Sequence, residues 1–125
     1  MYFTLSHKTG KYIVEKIGDH PNGCLVQVIN VINHPTQGDL HARKEVEGVF
    51  FHERKALSHL EKRIVDENLL KPYDGEVTDY VYSLKQALDK MTTKLNQEDT
   101  PFNQKSLSCL SQLKKDYETQ YKTTF

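Results

Sequence analysis

Long apolar runs are missing from this 125-residue chain, and nothing in it approaches the roughly 18 consecutive apolar residues that a bilayer-spanning helix requires. The opening MYFTLSHKTGKY has no positive stretch followed by an apolar one and no small-residue cleavage site, so secretion is not indicated. No cysteine near Met1 offers a lipid attachment point, so action at a membrane is expected to depend on another component. Excess charge is also absent. Lys plus Arg and Asp plus Glu each number 17, which leaves no basic surplus to neutralise a phosphate backbone and argues against a nucleic-acid partner. Only two cysteines occur, Cys24 and Cys109, without CxxC spacing; they read as buried free thiols of a reducing compartment, with a bridge between them the open alternative. Internal repeats and low-complexity tracts are absent as well.

What is present is an ordinary globular composition, 37% hydrophobic and 27% charged, with seven tyrosines supplying much of the large apolar area. A chain of this length buries about two thirds of its unfolded surface, so one modest core is expected. Residues up to about 72 are rich in β-branched side chains with turn punctuation. Met1–Ser6 reads as a strand, Lys8-Thr9-Gly10 as a turn in which Gly10 takes positive φ, and Lys11–Lys16 as a second strand. His20-Pro21-Asn22-Gly23 predicts a hairpin with Asn-Gly left-handed or type I′ geometry. The following CLVQVINVIN predicts a long, bent strand that turns Val26, Val28 and Val31 to the core. Glu45–His52 reads as another strand, and Leu57–Val65 as a last one ending in a 3₁₀ turn near Asp66–Asn68.

At Lys71-Pro72-Tyr73-Asp74-Gly75 the pattern changes to helical order. Thr78 is expected to cap a helix whose Tyr80, Leu84, Ala87, Leu88, Met91 and Leu95 form one apolar stripe, ending near Asn96. Thr100 as N-cap and Pro101 at the first helical position start a second helix, with Phe102, Ser106, Cys109, Leu110, Leu113, Tyr117 and Tyr121 as its stripe. The short loop between the two predicts an antiparallel pair laid on the β part. Lys122–Phe125 is expected to fray. The fold expected is α+β: residues 1–72 as a small SH3-like β-barrel of about five strands, then residues 76–125 as a helical hairpin packed on it.

Motifs for catalysis are sparse. His34, Asp39 and His41 share one loop, and His52 and His59 follow, so a metal site or metal-dependent enzyme built on loop histidines is one alternative; yet the spacing matches neither HExxH nor paired CxxC. On those grounds no metal, cofactor or catalytic residue is assigned. Glu53 beside His52 is a strand neighbour on the opposite face, not a converging acid/base pair. KTGKY lacks the GxxxxGK[ST] spacing of a phosphate loop. Interleaved tyrosines and lysines allow a second alternative, base stacking in single-stranded nucleic-acid binding, against which the zero net charge weighs.

The run HPTQGDLH at His34–His41, the pair Lys44-Glu45 and FHERKAL at Phe51–Leu57 resemble kinase-associated protein B, a family of small firmicute proteins. So do KTGKY at Lys8–Tyr12, KPYDGEVTDY at Lys71–Tyr80 and the SLKQAL that follows shortly after. Ala42-Arg43 and Ile64-Val65-Asp66 depart from the family pattern, which bears on loop shape. The resemblance implies a non-catalytic accessory protein of the phosphorelay that initiates sporulation, supporting a membrane sensor histidine kinase or its cytoplasmic assembly. It implies a cytoplasmic protein recruited to the inner membrane face by its partner. Direct phosphotransfer is disfavoured, because neither predicted helix contains a histidine and the βα alternation of a receiver is lacking. The expected contact surface is His34, Pro35, Gln37, Asp39 and His41 together with His52, Glu53, Arg54 and Lys55, a dense polar set the fold does not obviously require. The competing reading makes both runs structural corners of the barrel.

Overall fold

The computed structural model describes residues 1–38 and 51–125. Strands β1 (Tyr2–His7), β2 (Gly10–His20), β3 (Gly23–Asn33), β4 (Lys62–Val65) and β5 (Lys71–Tyr73) are followed by helices α1 (Tyr80–Leu95) and α2 (Pro101–Tyr121). The strands form one antiparallel sheet in the order β4-β3-β2-β1-β5, so the fold is α+β with the strands first and the helical pair last. Among the described residues the sheet is open, with β4 and β5 at its edges, rather than a closed barrel. A 3₁₀ turn at Glu67–Leu69 leads from one edge toward the other, capped by Asp66, whose carboxylate accepts from the amide of Asn68.

β3 is long because alternating β-branched residues carry it through three register shifts against β2. Those shifts let Val26 and Val28 on one stretch and Val31 on the next all reach the core. They meet Leu5, Tyr12 and Val14 from β1 and β2, and Leu84, Leu88, Leu110, Leu113 and Tyr117 from the helices, in a single apolar cluster. Both helical stripes face it; Met91, Leu95 and Tyr121 pack at its margin.

Several local expectations are corrected. The β1–β2 turn takes its positive φ at Lys8 and Thr9, not at Gly10, because His7 already pairs with Gly10 and leaves a two-residue loop. Gly10 is needed for a different reason: a Cβ there would lie 2.6 Å from the Tyr12 hydroxyl. The second hairpin turns on Pro21 and Asn22, neither of which has positive φ; the left-handed residue is Gly23, at φ 143°. The strand expected over Leu57–Val65 shortens to Lys62–Val65, because Leu57–His59 bonds to tyrosine hydroxyls instead of to a neighbouring strand. Most of the Glu45–His52 strand lies outside the described residues, and Phe51 and His52 are not in a strand. Asp79, not Thr78, caps α1, accepting from the amide of Tyr82, while the Thr78 amide donates to the buried Asn30 side chain. Thr100 caps α2 as expected. Beyond α2 the chain turns back onto the fold: Lys122 takes a left-handed conformation, the Phe125 amide donates to Glu118, and the Phe125 ring stacks on Tyr117. Cys24 and Cys109 are free thiols.

Candidate functional site

His34–Gly38 leaves the end of β3 and is zipped to Phe51–Leu57 by side chains standing in for strand partners. The Gln37 carboxamide does most of this. Its Oε1 accepts from the Arg54 amide at 2.7 Å and its Nε2 donates to the Arg54 carbonyl at 2.9 Å, reproducing with one side chain the two bonds of an antiparallel pair. The Gly38 amide donates to the His52 carbonyl at 2.8 Å, and the Arg54 guanidinium reaches back to the carbonyl of Gly38. Thr9, held in the strained β1–β2 turn, accepts from the Thr36 amide, which ties that hairpin to the same corner.

The corner is docked on α2. The Phe51 ring meets Phe102 edge-on with centroids 5.6 Å apart, and Lys105 lies over Phe51. Gly38, at φ 100°, sits so close to both rings that a Cβ would lie 3.1 Å from Phe51 and 3.2 Å from Phe102. Further along, the irregular stretch Ala56–His59 has four of its main-chain groups taken by tyrosine hydroxyls, while the Ser58 amide donates to the Glu61 carboxylate. Tyr117 accepts from the Ala56 amide at 2.8 Å, Tyr12 accepts from the Leu57 amide at 3.2 Å, Tyr80 donates to the Leu57 carbonyl, and Tyr121 accepts from the His59 amide at 3.4 Å. Burial raises the hydroxyl pKa of Tyr12, Tyr80 and Tyr117, holding all three in the protonated form that can donate as well as accept.

The candidate contact residues therefore divide. His34, Pro35 and Gln37 are buried. Both ring nitrogens of His34 are engaged, Nδ1 with the Pro35 carbonyl at 3.0 Å and Nε2 with the Tyr117 hydroxyl at 2.9 Å, and burial pushes its pKa down to about 4. Arg54 is half-buried and spent on backbone carbonyls. His52, Glu53 and Lys55 are exposed, Lys55 lying over the Tyr117 ring and donating to Gln120. Asp39 and His41 lie outside the described residues. Among the described residues no group of three or more His, Cys, Asp or Glu converges as a metal-ligand set. Burial pushes both thiols up, away from thiolate character.

The tyrosine clamp is not an expectation of the sequence reading, in which Tyr12, Tyr80, Tyr117 and Tyr121 count as apolar area. The available signal is their type: positions facing a core accept Phe or Leu, and four hydroxyls directed inward need main-chain partners.

The family model described as kinase associated protein B matches residues 7–118. A Bacillus subtilis (strain 168) protein named kinase-associated lipoprotein B is 45% identical over 111 residues, covering 89% of this chain and 87% of the relative. The crystal structure of kinase-associated protein B from Bacillus cereus superposes with a TM-score of 0.77 at 38% identity, covering 94% of each chain. With corner, sheet and helical pair all represented in the matched span, the chain belongs to the kinase-associated protein B family.

Proposed function

We propose that this chain is a non-catalytic accessory protein that binds a sensor histidine kinase, or that kinase's cytoplasmic assembly, in the phosphorelay leading to sporulation. Binding is through the exposed rim of the corner, His52, Glu53 and Lys55, with His34, Pro35, Gln37 and Arg54 as the brace that fixes it. The observation carrying this reading is that an irregular stretch is held by buried side chains at the main chain of Arg54, Ala56 and Leu57, on either side of Lys55 and next to Glu53, which fixes the path of the charged rim. A pre-ordered rim loses little entropy on binding. Membership of a kinase-associated family supports the identity of the partner. Among the described residues no helix is long and apolar enough to cross a membrane, so location at the inner membrane face would come from the partner or from an attachment such as the one the word lipoprotein records for the relative.

Capture of the kinase's cytoplasmic portion by the purified protein tests this. Glu53→Arg combined with Lys55→Glu should reduce capture at least tenfold while leaving the far-ultraviolet circular dichroism unchanged. Full capture by that folded double variant removes the rim from the interface.

A further inference from the structure

Three of the exposed large apolar side chains among the described residues lie along the β4 edge. Leu60 is 47% exposed, Ile64 48% and Leu69 55%, all within ten residues of chain. Leu60 is moreover held at φ 61°, a left-handed conformation costly for a branched side chain. The outer edge of β4 pairs with no strand among the described residues. Strand edges of this kind present unpaired amides and carbonyls and are normally guarded by charge. Lys62 and Arg63 provide charge here, but Arg63 is already bonded to Glu61 at 3.0 Å.

The register says which groups face outward. The Val28 amide donates to the Glu61 carbonyl and its carbonyl accepts from the Leu60 amide; beyond that, Arg63 pairs with Val26 and Val65 with Cys24. Alternation along an antiparallel ladder then turns the main chain of Arg63 and Val65 toward β3, and that of Lys62, Ile64 and Asp66 outward. Asp66 is itself extended, at φ −65° and ψ 127°, and its carbonyl is used by the Leu69 amide, so its outward main-chain donor is the N–H. By the same period of two, the side chains of Lys62, Ile64 and Asp66 share one face of the sheet.

We infer that the β4 edge pairs with β4 of a second copy of this chain about a two-fold axis through Ile64. That placement sets Ile64 against Ile64, with two main-chain bonds exchanged between them. It sets Lys62 of each copy against Asp66 of the other, giving two opposite-charge pairs and two further bonds from the Asp66 amide to the Lys62 carbonyl. By the same register Leu60 of one copy falls opposite Asn68 of the other, one residue from Leu69 in the 3₁₀ turn. Competing registers fail on charge or polarity: an axis through Arg63 opposes two arginines, and one through Val65 opposes Ile64 to Asp66. The interface is isologous and closes at two copies. Two five-residue edges bury less than the roughly 1,200 Å² of a standard interface, which places the dimer among weak, concentration-dependent associations.

Sedimentation equilibrium from about 10 µM to about 1 mM should show the monomer converting to dimer over that range. Ile64→Glu, which places two carboxylates on the axis at an exposed position, should weaken association at least tenfold. Lys62→Asp and Asp66→Lys should each self-associate weakly and restore association when mixed, because in that pair both charge contacts are free of the repulsion that each variant meets in its own copy. Circular dichroism of each variant verifies the fold. A protein monomeric at 1 mM, a dimer indifferent to Ile64→Glu, or a mixture of the two charge variants that stays monomeric would each overturn the inference.

Discussion

The hydroxyl of Tyr117 lies 2.9 Å from Nε2 of His34 and 2.8 Å from the amide nitrogen of Ala56. Since Nδ1 of His34 faces the Pro35 carbonyl, which can only accept, Nδ1 carries the ring proton and Nε2 is the acceptor. Tyr117 must then donate to His34 and accept from Ala56. One hydroxyl on α2 thus joins both segments of the corner, and only a neutral His34 permits the arrangement.

That requirement predicts an acid-sensitive fold. The ring pKa falls from 6.5 to about 4 in the folded protein, so between those values the unfolded chain binds the proton that the folded chain refuses. Stability is present above pH 6.5 and is lost as pH falls toward 4, by roughly 3 kcal/mol at about 1.4 kcal/mol per unit. Urea denaturation at a series of pH values measures it. His34→Gln, with nothing to titrate at that position, should show a profile flatter by about that amount across the same window; an equally steep profile would relocate the effect to other groups.

Removing the hydroxyl isolates the clamp from the ring packing. Tyr117→Phe leaves the Ala56 amide and His34 Nε2 buried without a partner, and should cost about 2–4 kcal/mol in denaturant unfolding. Hydrogen exchange gives a local readout. The Ala56 and Leu57 amides should be protected in the native protein although they belong to no strand, and Ala56 should lose much of that protection in Tyr117→Phe while Leu57, bonded to Tyr12, keeps more.

These contacts also mark where sequence reasoning reaches and where it stops. Periodicity locates the helical stripes, and Thr100-Pro101 locates the start of α2, because both signals are local to a turn or two of chain. The inward residues of β3 follow from β-branching and an assumed bulge. The corner does not follow in the same way. His34 and Gln37 look like surface polar residues in the sequence, and are buried against partners, Tyr117 and Arg54, that lie 83 and 17 positions away. A hydrogen bond across that separation leaves no trace in local pattern. The family resemblance singles out the two segments that meet at this corner, but not which of their side chains face inward. The α1 cap falls to Asp79 instead of Thr78 through another long-range contact: Asn30 occupies the Thr78 backbone.

Gly23 is where the β2–β3 hairpin and the β4 edge depend on one residue. Its φ of 143° suits glycine alone, and a Cβ would lie 2.1 Å from the carbonyl oxygen of Val65, the residue paired with Cys24. Gly23→Ala should therefore destabilise by more than about 2 kcal/mol and part the end of β4 from β3. Thermal unfolding gives the magnitude, and loss of amide protection at Arg63 and Val65 in excess of the global change gives the location. By contrast Gly18, where a Cβ would meet no atom within 4 Å, should accept alanine with little change.

Two buried serines on the helices should respond to alanine with opposite sign. Ser83 on α1 accepts from the Val31 amide at 3.0 Å and donates to the Tyr80 carbonyl at 2.7 Å, so its hydroxyl caps an otherwise bare strand amide. Ser106 on α2 is 1% exposed, and its Oγ has no hydrogen-bond partner among the described residues. A hydroxyl taken out of water without a replacement bond is a net cost, and alanine is also the better helix former. Ser106→Ala should stabilise by about 1 kcal/mol and raise Tm by about 3–5 °C, whereas Ser83→Ala should destabilise by about 1–3 kcal/mol. Parallel thermal melts decide it: equal shifts in one direction would mean that burial and helix propensity, not the missing bond, govern both sites.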